Sequence, residues 1–302
     1  MNSEMTEVPR CAHRSIRKKL TMAMRLARWF VVWGSVGVLL AAPARTREII
    51  RRGDVAVEVV AEGSGPLVVL LPSLGRDSDE FDPIAERIAA AGFRVLRPQP
   101  RGYGRSSGPM ENLTLHDFAR DVGSAIEHEH AGPAIVAGHA YGHFVAKMTA
   151  VDFPQLVRGV ALIAAAQKNI DPQVRRWLAI ATDARQPEAE RVKYLQMVFF
   201  APGHDSRVWL TGFHANVQHA EEMARDATPQ QEYWSAGNVP LLDLQAEFDP
   251  YRPRSTADEL VKEFGAGRVT VVLVRGASHA VIVEDPQAVA DAVIAFARKL
   301  RQ

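Results

Sequence analysis

Apolar and polar positions follow two periods along this chain. From residue 55 onward, short apolar runs recur at 55–61, 67–71 (LVVLL), 94–97 (RVLR), 134–137 (AIVA), 159–164 (GVALIA), 240–244 and 269–274 (VTVVLV). Their length and β-branched content predict strands. Between them lie amphipathic stretches that predict helices: 81–91 (FDPIAERIAAA), stopped by Gly92, then 142–153 and 286–300. Thr114-Leu115-His116-Asp117 resembles a capping box and opens a helix expected to run to about Glu129. Another helix is expected to be capped near Ser255 or Thr256. Strand runs without inside/outside alternation are covered on both faces, so the pattern predicts an α/β fold with a mostly parallel sheet flanked by helices.

The rhythm stops between residues 166 and 237. No strand is legible there, only polar helical segments and scattered large apolar residues, Trp177, Phe199, Phe200, Trp209, Phe213 and Trp234. This reads as a helical cap inserted into a core formed by residues 45–165 and 238–302. The aromatic residues serve either to pack the cap or to roof a site.

Composition narrows the class. With 302 residues, 47% hydrophobic content, unexceptional Gly and Pro and one cysteine, the chain is neither collagen-like, disordered nor a disulfide scaffold. Basic residues number 36 and acidic 35, a balance that argues against a nucleic-acid partner. The charge is unevenly placed. Arg10, Arg14, Arg17, Lys18, Lys19, Arg25 and Arg28 against Glu4 and Glu7 give residues 1–44 a net charge of about +5, leaving about −4 on the rest. An apolar run at 29–40 (WFVVWGSVGVLL) follows, then Ala41-Ala42-Pro43-Ala44. A basic start, a short apolar run and an A-x-A end are the layout of a secretory signal peptide, with cleavage expected after Ala44 and export by the Sec route to the periplasm or the medium. The run is shorter than the roughly 20 residues of a spanning helix, so no membrane span is expected after cleavage, the alternative being an uncleaved N-terminal membrane anchor. Cleavage also removes Cys11, leaving no thiol.

The chemistry concentrates at Gly138-His139-Ala140-Tyr141-Gly142, between an expected strand and an expected helix. Strand, G-x-X-x-G, helix is a nucleophile-elbow arrangement, and by it the chain resembles the α/β-hydrolases over nearly all of residues 53–302. Leu71-Pro72-Ser73-Leu74-Gly75 falls where that family has its oxyanion loop, and Arg101-Gly102-Tyr103-Gly104-Arg105-Ser106 looks like its R-G-x-G-x-S turn. Glu247-Phe248-Asp249-Pro250 lies where it has the triad acid, and Ala277-Ser278-His279 resembles its histidine loop. The resemblance implies Asp249 and His279 as an acid–base pair, the backbone N–H groups of Leu74 and Tyr141 as oxyanion donors, and residue 140 as the nucleophile position. That position holds Ala140, which has no atom able to attack a carbonyl.

Three readings of Ala140 stand open: an esterase inactivated by a Ser→Ala change, an enzyme in which His279 and Asp249 activate water or a substrate proton directly, and a non-catalytic ligand-binding protein on the same fold. A small hydrophobic ester-like or carbonyl-bearing molecule is the expected substrate or ligand. Asp243 and Glu247 are rivals to Asp249 as the acid. Ser73 and Ser278 are minor candidates as surrogate nucleophiles, since loop serines usually bond their own backbone. His139 and His143 are spaced i, i+4, and His128-Glu129-His130 is near in sequence, but no third ligand is evident, so neither a metal nor a cofactor is expected. Gly102-x-Gly104 reads as a tight turn rather than a dinucleotide fingerprint.

Overall fold

Alternate side chains of the run LVVLL enter two different hydrophobic cores, which is why a strand with no polar face is stable here. Leu67 and Val69 pack into one core and Val68 and Leu70 into the other, all fully buried. The computed structural model describes residues 45–300, so the expected signal segment at 1–44 lies outside the described residues. No helix among the described residues is long and apolar enough to cross a membrane.

In chain order the elements are β1 (Thr46–Arg52), β2 (Val55–Gly63), β3 (Leu67–Leu71), α1 (Asp82–Ala90), β4 (Arg94–Pro98), α2 (Leu115–Glu129), β5 (Ala134–His139), α3 (Gly142–Asp152) and β6 (Val157–Ile163). Then come α4 (Pro172–Thr182), α5 (Glu188–Phe199), α6 (Ala215–Ala227), α7 (Gln230–Tyr233), β7 (Leu241–Ala246), α8 (Glu259–Phe264), β8 (Val269–Val274), α9 (Val281–Glu284) and α10 (Pro286–Lys299). One eight-stranded sheet results, ordered β1-β2-β4-β3-β5-β6-β7-β8. β2 pairs antiparallel with β1 and β4, and every other pairing is parallel.

Helices α2 and α3 cover one face through Leu115, Phe118 and Ala146. On the other face, α1 and α10 seat Ile84, Ile88, Val289 and Val293. Each fully buried Leu, Ile or Val contributes about 1.5–3 kcal/mol, so the layers are held chiefly by these stripes. At the start of α2, the Asp117 carboxylate accepts both the Thr114 N–H and its hydroxyl at 3.0 Å, the local interaction that the capping-box pattern expects.

One strand has no counterpart among the expectations, and two helix starts are corrected. β1 was not expected, because TREIIRR has too few apolar residues to read as a strand; it forms as the sheet's edge, paired on one side and largely exposed. The helix expected to be capped at Ser255 or Thr256 begins at Glu259, since a 3₁₀ turn over Arg254–Thr256 follows Pro253 and takes up those residues. The helix expected from residue 81 begins at Asp82, because Phe81 ends a 3₁₀ turn and is buried in the core. Between β6 and β7 the described elements are helices α4–α7 and a 3₁₀ turn at Ser206–Trp209.

Candidate active site

The chain turns sharply at Ala140, between β5 and α3. Its φ is +46°, in the left-handed region that alanine seldom adopts and that costs on the order of 1–3 kcal/mol. Two glycines make the turn possible. A Cβ on Gly138 would lie 2.2 Å from the Gly142 carbonyl, and one on Gly142 would lie 2.5 Å from the Leu71 carbonyl oxygen. Hydrogen bonds hold the strained residue on both sides. Ala140 N–H donates to the Ile163 carbonyl at 3.0 Å, and the Ala140 carbonyl accepts from the His143 backbone N–H at 3.1 Å and from the His143 ring.

Opposite lies His279, between β8 and α9. Its Nδ1–H points at the Asp249 carboxylate, 2.9 and 3.0 Å from the two oxygens, and both residues are buried. Asp249 is oriented in turn by the Tyr251 backbone N–H at 2.8 Å. Stacking on the Tyr251 ring, 4.0 Å between centroids, fixes the imidazole plane. With Nδ1 occupied by the carboxylate, the other ring nitrogen is left as the basic one. The rival acids are engaged elsewhere: Asp243 pairs with buried Arg252 at 2.9 Å, and Glu247 accepts the Gly276 N–H at 2.9 Å.

Ala140, His279, Leu74 and Tyr141 line one cavity of about 60 Å³. Among the described residues, neither the Leu74 nor the Tyr141 backbone N–H donates to a protein acceptor. Both N–H groups belong to residues that line the cavity with His279. The segments carrying them are braced by Glu221 of α6. Its carboxyl accepts the Gly75 N–H at 2.7 Å, and its backbone carbonyl accepts the Tyr141 hydroxyl at 2.8 Å. Burial holds the Glu221 carboxyl well above the usual carboxylate range. No sequence pattern pointed to Glu221, which lies in a polar stretch without a motif.

The remaining candidates separate clearly. His139 is buried and donates from Nε2 to the His279 carbonyl at 2.7 Å; burial first, and the His279 ring second, push its pKa down to about 3, so it is neutral. His143 lines the cavity, and burial likewise holds it well below the usual histidine range. Ser278 donates its hydroxyl to the Phe248 carbonyl at 3.1 Å, whereas Ser73 lines the cavity. His128 and His130 lie at the far end of α2, and no group of three or more His, Cys, Asp or Glu placed to hold a metal is found among the described residues. The Arg101–Ser106 segment is a braced turn: Arg101 pairs with buried Asp121 at 2.6 and 2.9 Å, and the Ser106 hydroxyl accepts the Glu58 N–H at 2.8 Å. Of the aromatics, Phe199 lines the cavity, while Phe200, Trp209 and Trp234 are buried in the packing.

A family described as having the alpha/beta hydrolase fold matches residues 66–286. A 2-(acetamidomethylene)succinate hydrolase of Mesorhizobium japonicum is 31% identical over 111 residues, which is 37% of this chain and 40% of that protein's length. A pyrrolizixenacetamide deacetylase of Xenorhabdus hominickii is 24% identical over 250 residues, 79% of this chain and 93% of that protein. Among solved structures, an esterase from Exiguobacterium antarcticum superposes with a TM-score of 0.70 at 18% identity, over 84% of this chain and 100% of its own.

Proposed function

Since the chain belongs to the alpha/beta hydrolase fold family, we propose that it hydrolyses a small, partly hydrophobic ester or amide by direct attack of water, with no side-chain nucleophile. The observation that carries this is His279, held by Asp249, which lines one cavity with Ala140, Leu74 and Tyr141. Two relatives similar in sequence are named as a hydrolase and a deacetylase, and this favours cleavage at an acyl carbonyl.

In the proposed reaction, the free nitrogen of His279 takes a proton from water as its oxygen bonds to the substrate carbonyl carbon. Asp249 holds the ring in the required tautomer and stabilises the imidazolium that forms. The carbonyl oxygen becomes an oxyanion and accepts from the Leu74 and Tyr141 N–H groups. Collapse breaks the bond to the alcohol or amine, and that group leaves with the proton returned by His279. Ala140 presents a methyl group at the nucleophile position, so water replaces the side-chain hydroxyl and no acyl-enzyme forms there.

Turnover of a panel of p-nitrophenyl and aryl esters by purified protein tests the proposal. The expected result is a saturable rate above the buffer background. Ala140 also favours a second reading, a ligand-binding protein on the same fold, and saturable binding with no such rate would select it. The basic, then apolar, then A-x-A order of residues 1–44 supports export, with a mature N-terminus at Arg45 that N-terminal sequencing of fractionated cells would identify.

A further inference from the structure

Two arginines line the cavity that holds His279, and among the described residues no Asp or Glu lines it. Arg175 comes from the first turn of α4 and Arg225 from the last turn of α6. Among the described residues no carboxylate forms an ion pair with Arg175, and Arg225 pairs with its sequence neighbour Asp226, at 2.8 and 2.9 Å. The other walls are mostly apolar, with Phe144, Ile170, Leu178 and Phe199 among them. A neutral hydrophobic substrate gains nothing from two arginines at this place. An anion gains from both, because guanidinium–carboxylate bonds are charge-assisted.

Building on the hydrolytic reading above, we infer that the substrate carries a carboxylate in addition to the scissile ester or amide, and that Arg175 and Arg225 hold that carboxylate while the carbonyl lies between His279 and the Leu74 and Tyr141 N–H groups. Arg175 and Arg225 are thus specificity residues. An apolar middle with a cationic rim suits a short acyl chain ending in a carboxylate.

The test compares mono-p-nitrophenyl glutarate with p-nitrophenyl valerate, which are nearly the same length and differ in the terminal carboxylate. The parent protein should favour the glutarate ester by about tenfold in kcat/KM at low salt, and added salt should shrink the preference. Arg175→Gln should lower kcat/KM for the glutarate ester about tenfold more than for the valerate ester, mainly through KM, and Arg175→Lys should keep part of the preference because it keeps the charge. Equal rates on the two esters in the parent, or equal losses on both in Arg175→Gln and Arg175→Lys, would overturn the inference. Calorimetric binding of glutarate itself to the His279→Ala protein separates this inference from the reaction. Salt-sensitive binding that Arg175→Gln weakens supports the anion site even where neither ester is hydrolysed, which would overturn only the hydrolytic reading. Hydrolysis of both esters without discrimination, and with no glutarate binding, would overturn the anion site alone.

Discussion

The buried carboxyl of Glu221 accepts the backbone N–H of Gly75 at 2.7 Å, joining residues 146 positions apart. Through its own carbonyl Glu221 also holds the Tyr141 hydroxyl, so one residue of α6 fixes both segments that carry the proposed oxyanion donors. Glu221→Ala should lower kcat by about 10- to 100-fold with a smaller change in KM, because misplaced donors lose most of their effect in the transition state. Glu221→Gln keeps an oxygen acceptor for Gly75 and should retain most of the rate. Steady-state kinetics on one ester checks both, and equal losses in kcat for Gln and Ala would show that the bond to Gly75 is not what matters.

Ala140→Ser adds a hydroxyl at the strained turn. Serine tolerates a positive φ about as well as alanine, and the residue borders a cavity, so stability should change by less than about 1 kcal/mol. The new hydroxyl should be acylated by p-nitrophenyl esters, giving a burst of p-nitrophenol and a mass increase in intact protein. Adding His279→Ala should abolish both signals.

Much of the fold is legible in the sequence because apolar runs such as LVVLL and AIVA are buried whole, and because the capping box and elbow glycines act locally. β1 is not, since an edge strand needs only one partner and its residues are mostly polar. The His279–Asp249 pair is legible through motif order, although three acids competed in sequence and only the fold shows that Asp243 is occupied by Arg252. Glu221, Arg175 and Arg225 leave no trace in the pattern. They sit on helices between β6 and β7 that carry no motif, and tertiary packing alone brings them to the cavity at the elbow.

Lys147 of α3 is fully buried over the Trp234 ring, 3.8 Å from its centroid, and its ammonium has no hydrogen-bond partner. Burial pushes its pKa down from 10.5 to about 7. Between those values the unfolded chain binds a proton that the folded chain does not, so this residue makes stability rise with pH through that window and costs most at pH 7 and below. Lys147→Met should therefore stabilise the protein at pH 7, by about 1–4 kcal/mol, and the gain should shrink toward pH 10. Denaturant unfolding at the two pH values checks it.

His116 bridges Asp152 of α3 and Glu232 of α7, with ring nitrogens 2.8 and 3.0 Å from the carboxylates. The bond to Glu232 first, and that to Asp152, raise its pKa above 6.5 against the opposing effect of burial. A base raised on folding stabilises fully below its unfolded pKa and loses that contribution as pH rises through the folded value. His116→Gln should lower the melting temperature at pH 6 and leave it nearly unchanged at pH 9. The pair is partly exposed, so the effect should stay under about 1 kcal/mol.

In the proposed reaction His279, held by Asp249, drives hydrolysis without a nucleophilic side chain at position 140. This role is tested most directly by kcat/KM for one hydrolysable ester, measured side by side in the parent protein and in His279→Ala. A fall of at least about 100-fold is expected, the usual contribution of a general base. Equal rates in the two proteins would contradict it.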